Sequence, residues 1–298
     1  MMSSDIGRGS RRGREVVLWI IAFVLVVGAA GYQRFTGPSY PARGTFEVAG
    51  QGYDYRLIRN TLTSGDARVA IPNPGVPGAL HYKRYRTDDD FTSAPLQAEG
   101  RELVGYLPVQ PPAGKLEYFL TLRPADGVMR VPGEAEGNVI IRFKDPVPWY
   151  SLVPHISMMF LALLVGMRAG LAALIAPGPM RRLAWTTLVI MTIGGMILGP
   201  IAQWYAFGAF WTGWPFDYDL TDNKVLIMWL VWIVGCGVLW LRTRKDERVS
   251  RAVVAIAALV MVVVYLIPHS TRGTEVDYEL LDQGVPASEA LRSGRPGQ

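Results

Sequence analysis

Cysteine is nearly absent. Cys236 stands alone among 298 residues, which excludes an intramolecular disulfide and any cysteine-ligated zinc finger. Histidine is scarce too, with three. Charged residues make up 18% of the chain, against about 25% in soluble globular proteins. There is no P-loop, no Rossmann glycine pattern, no G-x-S-x-G and no H-E-x-x-H, so nucleotide and protease chemistry of the soluble kind finds no support. A continuous basic surface is also missing. The net charge is +5, but residues 36–148 hold 13 basic and 13 acidic side chains. The surplus sits in short clusters beside apolar runs, which argues against a nucleic-acid partner.

What is abundant is apolar. Half of the residues are hydrophobic and the mean hydropathy is +0.20, which rules out a wholly soluble enzyme. Five stretches approach or exceed the ~20 helical residues that cross a hydrocarbon core. They are Val16 to about Phe35, about Tyr150 to Ala176, Leu183 to about Ala206, about Asp222 to Leu241, and Val249 to Ile267. Three basic clusters flank them: Arg8, Arg11, Arg12 and Arg14; Arg181 and Arg182; and Arg242, Arg244, Lys245, Arg248 and Arg251. Five crossings put all three on one side, the cytoplasmic side by the positive-inside rule. The expected setting is a bacterial inner membrane, N-terminus inside and C-terminus outside. The first span has a second reading, as a cleaved signal peptide with the small residues Gly28-Ala29-Ala30 at its end. The rest of the topology is the same either way.

The expected fold is an α+β membrane protein in four parts. Residues 1–35 form a basic N-terminus and the first helix. Residues 36–148 form an outer β-domain, 149–269 a four-helix bundle with an outer aromatic loop at 203–224, and 270–298 an outer, partly disordered tail. Strand patterns mark Tyr53 to Ile58, Ala79 to Tyr85, Glu102 to Leu107, Lys115 to Leu122 and Asn138 to Phe143, separated by Pro/Gly turns. Seven or eight short strands in this length predict an immunoglobulin- or fibronectin-like β-sandwich inserted between helices 1 and 2.

Two histidines sit at expected helix ends on the outer side: His155 after Pro154, and His269 after Pro268. Taken alone, each reads as an interfacial anchor. His81, in a strand, reads as a surface residue. Arg168 lies deep in the second span and is expected to snorkel toward the cytoplasmic headgroups. Gly194, Gly195, Gly199, Gly235 and Gly237 read as close helix packing. Between the two outer histidines, residues 204–218 hold eight aromatic side chains. An aromatic belt at the interface is the plain explanation. The ordered run Trp211-Thr212-Gly213-Trp214-Pro215-Phe216-Asp217 also reads as a platform for a large planar ligand.

This arrangement resembles the haem-handling core of cytochrome c assembly proteins, the tryptophan-rich WWD family. The likeness covers residues 155–269: Pro154-His155-Ile156-Ser157 resembles that family's first histidine helix, residues 211–217 its tryptophan loop, and Pro268-His269-Ser270 its second histidine site. The spacing departs from the family's W-G-x-x-W-x-W-D, with Phe216 where a tryptophan is usual. The resemblance implies haem as cofactor, with His155 and His269 as axial ligands and Trp204, Trp211, Trp214, Phe216 and Asp217 around it. It further implies a role in cytochrome c assembly or electron transfer. The other reading, of a different class, is a non-enzymatic scaffold or accessory subunit of a membrane complex. Partners on these readings are membrane lipids and a protein that meets the outer domain, a c-type cytochrome or assembly factor.

Overall fold

A computed structural model describes residues 3–242, 247–268 and 273–293, with backbone alone over 3–11. The chain divides into two compact units, one helical (1–37, 148–203 and 213–271) and one built on β-strands (38–147, 204–212 and 272–298).

Five helices are long and apolar enough to cross a membrane. The first is α1 (Ser3–Thr36), followed by α2 (Trp149–Ile175). The third apolar stretch, Met180–Phe207, is α3 (Met180–Met191), a π-helical segment (Thr192–Leu198) and α4 (Gly199–Phe207) end to end. α5 (Leu220–Leu241) and α6 (Glu247–Leu266) complete the set. α1 turns Leu18, Ala22 and Val26 inward, a four-residue spacing that keeps one face of a helix on its neighbours. Small residues let α2 and α6 approach closely. A Cβ on Gly170 would stand 2.5 Å from that of Ala258, and one on Gly166 2.8 Å from Met261 Sδ. Trp232, fully buried, donates its indole N–H to Met261 Sδ at 3.1 Å. At Gly237, by contrast, no described residue lies within 4 Å of where a Cβ would stand.

Arg168 does not snorkel. It is fully buried, ion-paired through Nη2 with Glu15 of α1, and its guanidinium lies 5.7 Å from the Trp19 ring centre. The counter-charge comes from a helix 153 positions away in sequence.

The β unit contains more strands than the periodicity predicts, eleven between residues 42 and 144 among those described. β1 (Ala42–Val48) and β2 (Gln51–Leu57) form a hairpin. Its loop residues Ala49 and Gly50 both have positive φ, 52° and 77°, the backbone that a two-residue hairpin loop requires. A larger sheet runs in the order β3 (Asn60–Leu62), β11 (Val139–Lys144), β9 (Lys115–Leu122), β5 (Gly78–Arg84), β6 (Thr92–Pro95), with β10 (Met129–Val131) also on β9. A smaller one runs β4 (Ala67–Pro72), β8 (Glu102–Leu107), β7 (Gln97–Glu99). All pairs are antiparallel except β11 with β3. On β9 every second residue is buried, Leu116, Tyr118, Leu120 and Leu122, the period of a strand with one face on a core. Both sheets and the hairpin contribute to that core.

His81 is half-buried rather than a free surface residue. Its two ring nitrogens bond the hydroxyls of Thr121 (2.8 Å) and Ser93 (2.7 Å), and its ring stacks on Phe119. Burial, reinforced by Arg123 and Arg130, lowers its pKa.

Within the tail, expected to be partly disordered, residues 274–293 contain β12 (Thr274–Val276), α7 (Tyr278–Asp282) and β13 (Leu291–Ser293). Tyr278 holds it to β9: its hydroxyl accepts from the Lys115 amide at 3.0 Å and donates to the Lys115 carbonyl at 2.9 Å. Glu275 takes Lys115 at 2.7 Å and Arg86 at 2.8 Å. Burial pushes the Lys115 ammonium below its usual pKa against the pull of Glu275. Arg84 bridges Asp89 (2.6 Å) and Asp282 on α7 (2.8 Å). Hydrogen bonding to Arg84 holds the Asp89 carboxyl at about 2 and lowers that of Asp282. A depressed carboxylate contributes stability that is whole above its unfolded pKa near 4 and is lost as pH falls through the folded value. Attachment of α7 should therefore weaken between about pH 4 and pH 2, and more so in salt, because these groups are partly exposed. Pepsin cleavage at Leu280-Leu281 measures it. The step should be missing in Asp282→Asn, which removes the carboxylate that ties α7 to Arg84; an identical profile in that variant would refute the assignment.

Candidate functional site

His155 lies nearly two turns into α2, after Pro154, which cannot donate to the helix ladder. Its imidazole is half-buried and Nδ1 lies 2.8 Å from the carbonyl oxygen of Gly194. A carbonyl only accepts, so Nδ1 carries a proton and donates it to Gly194 O. Ligating histidines are held in this way, with one ring N–H on a carbonyl and the other nitrogen presented.

The carbonyl is available because of the π-helical segment, a widened turn often found at functional positions. Gly194 O also accepts from the Gly199 amide, five residues on. Neighbours fix the segment from two sides. A Cβ on Gly194 would come 2.6 Å from that of Met158, one turn beyond His155 on α2. One on Gly195 would meet Val225 Cγ1 of α5 at 2.9 Å. Thr192 donates to Leu188 O and accepts from the Trp229 indole at 2.9 Å. The glycines expected to pack helices do so here, and thereby orient a histidine.

Residues of the aromatic loop are divided between the units. Trp204 and Trp211 belong to the β unit, Trp214, Phe216 and Asp217 to the helical one. α4 stops at Phe207, and Gly208 follows with φ of 80° and its amide on Trp204 O at 2.8 Å, a glycine cap. Trp204 then stacks on Phe210, ring centres 5.5 Å apart. Trp211 is half-buried, and the next residue, Thr212, bonds the hydroxyl of Thr274 at 2.7 Å. In the helical unit the Gly213 carbonyl accepts from the amides of Phe216 and Asp217, both at 3.0 Å. Asn223 accepts from the Trp214 amide at 2.7 Å. The loop is thus tied from both ends, yet Trp214 is 63% and Phe216 80% exposed.

The acidic residues of the loop have local work. Asp217 accepts from the Tyr218 amide. Asp219 is the N-cap of α5, accepting from Thr221 and Asp222 amides at 2.7 and 3.2 Å. Asp222 accepts from Gln203 at 3.1 Å. Lys224, almost fully buried, donates to the carbonyls of Tyr265 (3.5 Å) and Ile267 at the end of α6, and Gln33 of α1 donates to Tyr265 O at 2.7 Å. Gln33, Gln203 and Lys224 thus join the ends of α1, α4, α5 and α6, a polar cluster that hydropathy does not reveal. His269 lies outside the described residues, so its distance from His155 does not enter the geometry.

Among the described residues no group of three or more His, Cys, Asp or Glu could enclose a metal ion. A haem does not need one, since the porphyrin supplies four donors and the protein only axial ligands. No known protein family matches this sequence, and no curated protein matches it.

Proposed function

We propose that this chain holds haem at the outer face of a bacterial cytoplasmic membrane, for cytochrome c assembly or electron transfer. The observation that carries this reading is His155: an imidazole whose Nδ1–H is fixed on Gly194 O, which orients Nε2 as the nitrogen to meet an iron. Trp214 and Phe216, exposed on a loop held by Gly213 and Asn223, supply aromatic faces for a porphyrin in the same unit. Asp217 steadies that loop. His269 completes the set as the second ligand. Bound haem would supply an iron able to change oxidation state; the chain's own part is to hold the imidazole oriented through Gly194 O. Trp204 and Trp211 are not needed in this reading.

The orientation belongs to the same proposal, N-terminus inside and C-terminus outside, supported by the basic residues beside α1, α3 and α6. The two sheets around one core support reading the β unit as an immunoglobulin- or fibronectin-like sandwich; a protein partner for it outside belongs to the same proposal. The absorption spectrum of the detergent-purified protein tests the proposal. A Soret band that His155→Ala shifts or abolishes is expected, with weaker haem retention in Trp214→Ala. A colourless protein that takes up no added haemin would leave the scaffold reading in its place.

A further inference from the structure

The β unit contains an open cleft of about 390 Å³ that haem binding does not use. Asp145 forms part of its wall. Trp204, Tyr205 and Phe207, from the last turn of α4, form another part, and Ser288 of the tail a third. Asp145 is fixed in place, its amide donating to Ala206 O at 3.0 Å and its Oδ1 accepting from the Thr63 hydroxyl. Among the described residues no Lys, Arg or His forms an ion pair with it. A carboxylate with no ion-pair partner among the described residues, beside aromatic faces, attracts a positive charge. The wall has this tendency already: the Arg142 guanidinium sits 4.2 Å from the ring centre of Phe207.

The chemistry of the lining selects the kind of cation. Hard metal ions ask for six or more oxygen ligands, whereas one carboxylate and several π faces suit an organic ammonium. Position selects the source. Trp204 to Phe207 end the apolar stretch Met180–Phe207, and the end of a spanning helix lies at the depth of lipid headgroups. We propose that this cleft takes the ammonium headgroup of a zwitterionic membrane lipid, with Asp145 as counter-charge and Trp204 as the π face. The inference stands apart from haem binding and shares no ligand with it.

The test uses the full chain in nanodiscs of equal phosphatidylethanolamine and phosphatidylglycerol, with lipid retained after extraction counted by native mass spectrometry. The wild type should retain phosphatidylethanolamine preferentially, and free ethanolamine should displace it. Asp145→Asn, which keeps shape and loses charge, should reduce the preference about tenfold, as loss of one charge-assisted contact implies. Trp204→Leu should do so independently, which guards against a folding defect in one variant. Equal retention of both lipids by the wild type would overturn the proposal. So would a preference untouched by both variants, which would assign it to the acyl chains. Binding of free ethanolamine with no lipid preference would overturn the lipid as the source.

Discussion

Glu15→Gln is expected to destabilise the helical unit by about 3 kcal/mol, while Arg168→Leu costs far less. Removing one member of a buried ion pair costs about 3–5 kcal/mol, because the other charge stays behind without compensation. The two ends of this pair are unequal. Arg168 is fully buried, and its Nε and Nη1 have no hydrogen-bond partner among the described residues. The Glu15 side chain is 39% exposed. Because Glu15 is partly exposed and the Trp19 ring stays beside the guanidinium, the loss falls in the lower part of that range. Without Arg168, Glu15 can turn to water or take up a proton. The double variant Glu15→Gln/Arg168→Leu should therefore recover most of the loss. Unfolding of the purified protein in a detergent titration measures all three, and a Glu15→Gln variant within about 0.5 kcal/mol of wild type would refute the assignment. The pair bears equally on the signal-peptide reading of α1. Cleavage after Ala30 would remove Glu15 together with the inward stripe Leu18, Ala22 and Val26. The intact mass of the purified protein should accordingly include the first 30 residues.

What the sequence reveals depends on how local the determining physics is. The spans are legible because length and hydropathy suffice for them. β8 and β9 fall on Glu102–Leu107 and Lys115–Leu122, as the alternation of apolar residues predicts. β3, β7 and β10 are three residues each, too short to show a period, and exist by pairing with longer neighbours. The tail is ordered by Tyr278 and Glu275 on Lys115, about 160 positions away, which no local pattern announces. Arg168 is misread for the same reason. The N-cap at Asp219 was open to a local reading, as an acidic residue before an apolar run; the surrounding aromatics draw attention instead to ligand recognition. For the candidate site, the sequence locates His155 but not the carbonyl that orients it. That carbonyl depends on a π-helical turn whose signal, a glycine pair inside an apolar run, also fits ordinary packing.

Phe143→Ala should cost the β unit about 3–5 kcal/mol, the range for a fully buried aromatic cut back to a methyl group. Phe143 is 0% exposed and lies in the core shared by both sheets. Its backbone is committed as well. The amide donates to Gly114 O and the carbonyl accepts from Ala113, each at 2.9 Å, and the residue pairs with Thr61 across the single parallel contact. With the backbone pinned on both sides, the walls of the cavity have little freedom to collapse, which places the loss toward the upper end. Two comparisons separate this from a general sensitivity of the sheet. Tyr118→Phe removes a hydroxyl that donates to Ile58 O at 2.8 Å and keeps the ring, so it should cost about 1 kcal/mol. Leu62→Ala, at a residue 41% exposed, should stay within about 0.5 kcal/mol. Native-state hydrogen exchange of the full chain reads all three on the amides of Leu116 to Leu122. Phe143→Ala should speed their exchange by a hundredfold or more, since about 1.4 kcal/mol is a factor of ten. A change below tenfold would mean that β11 is not part of the cooperative core of this unit.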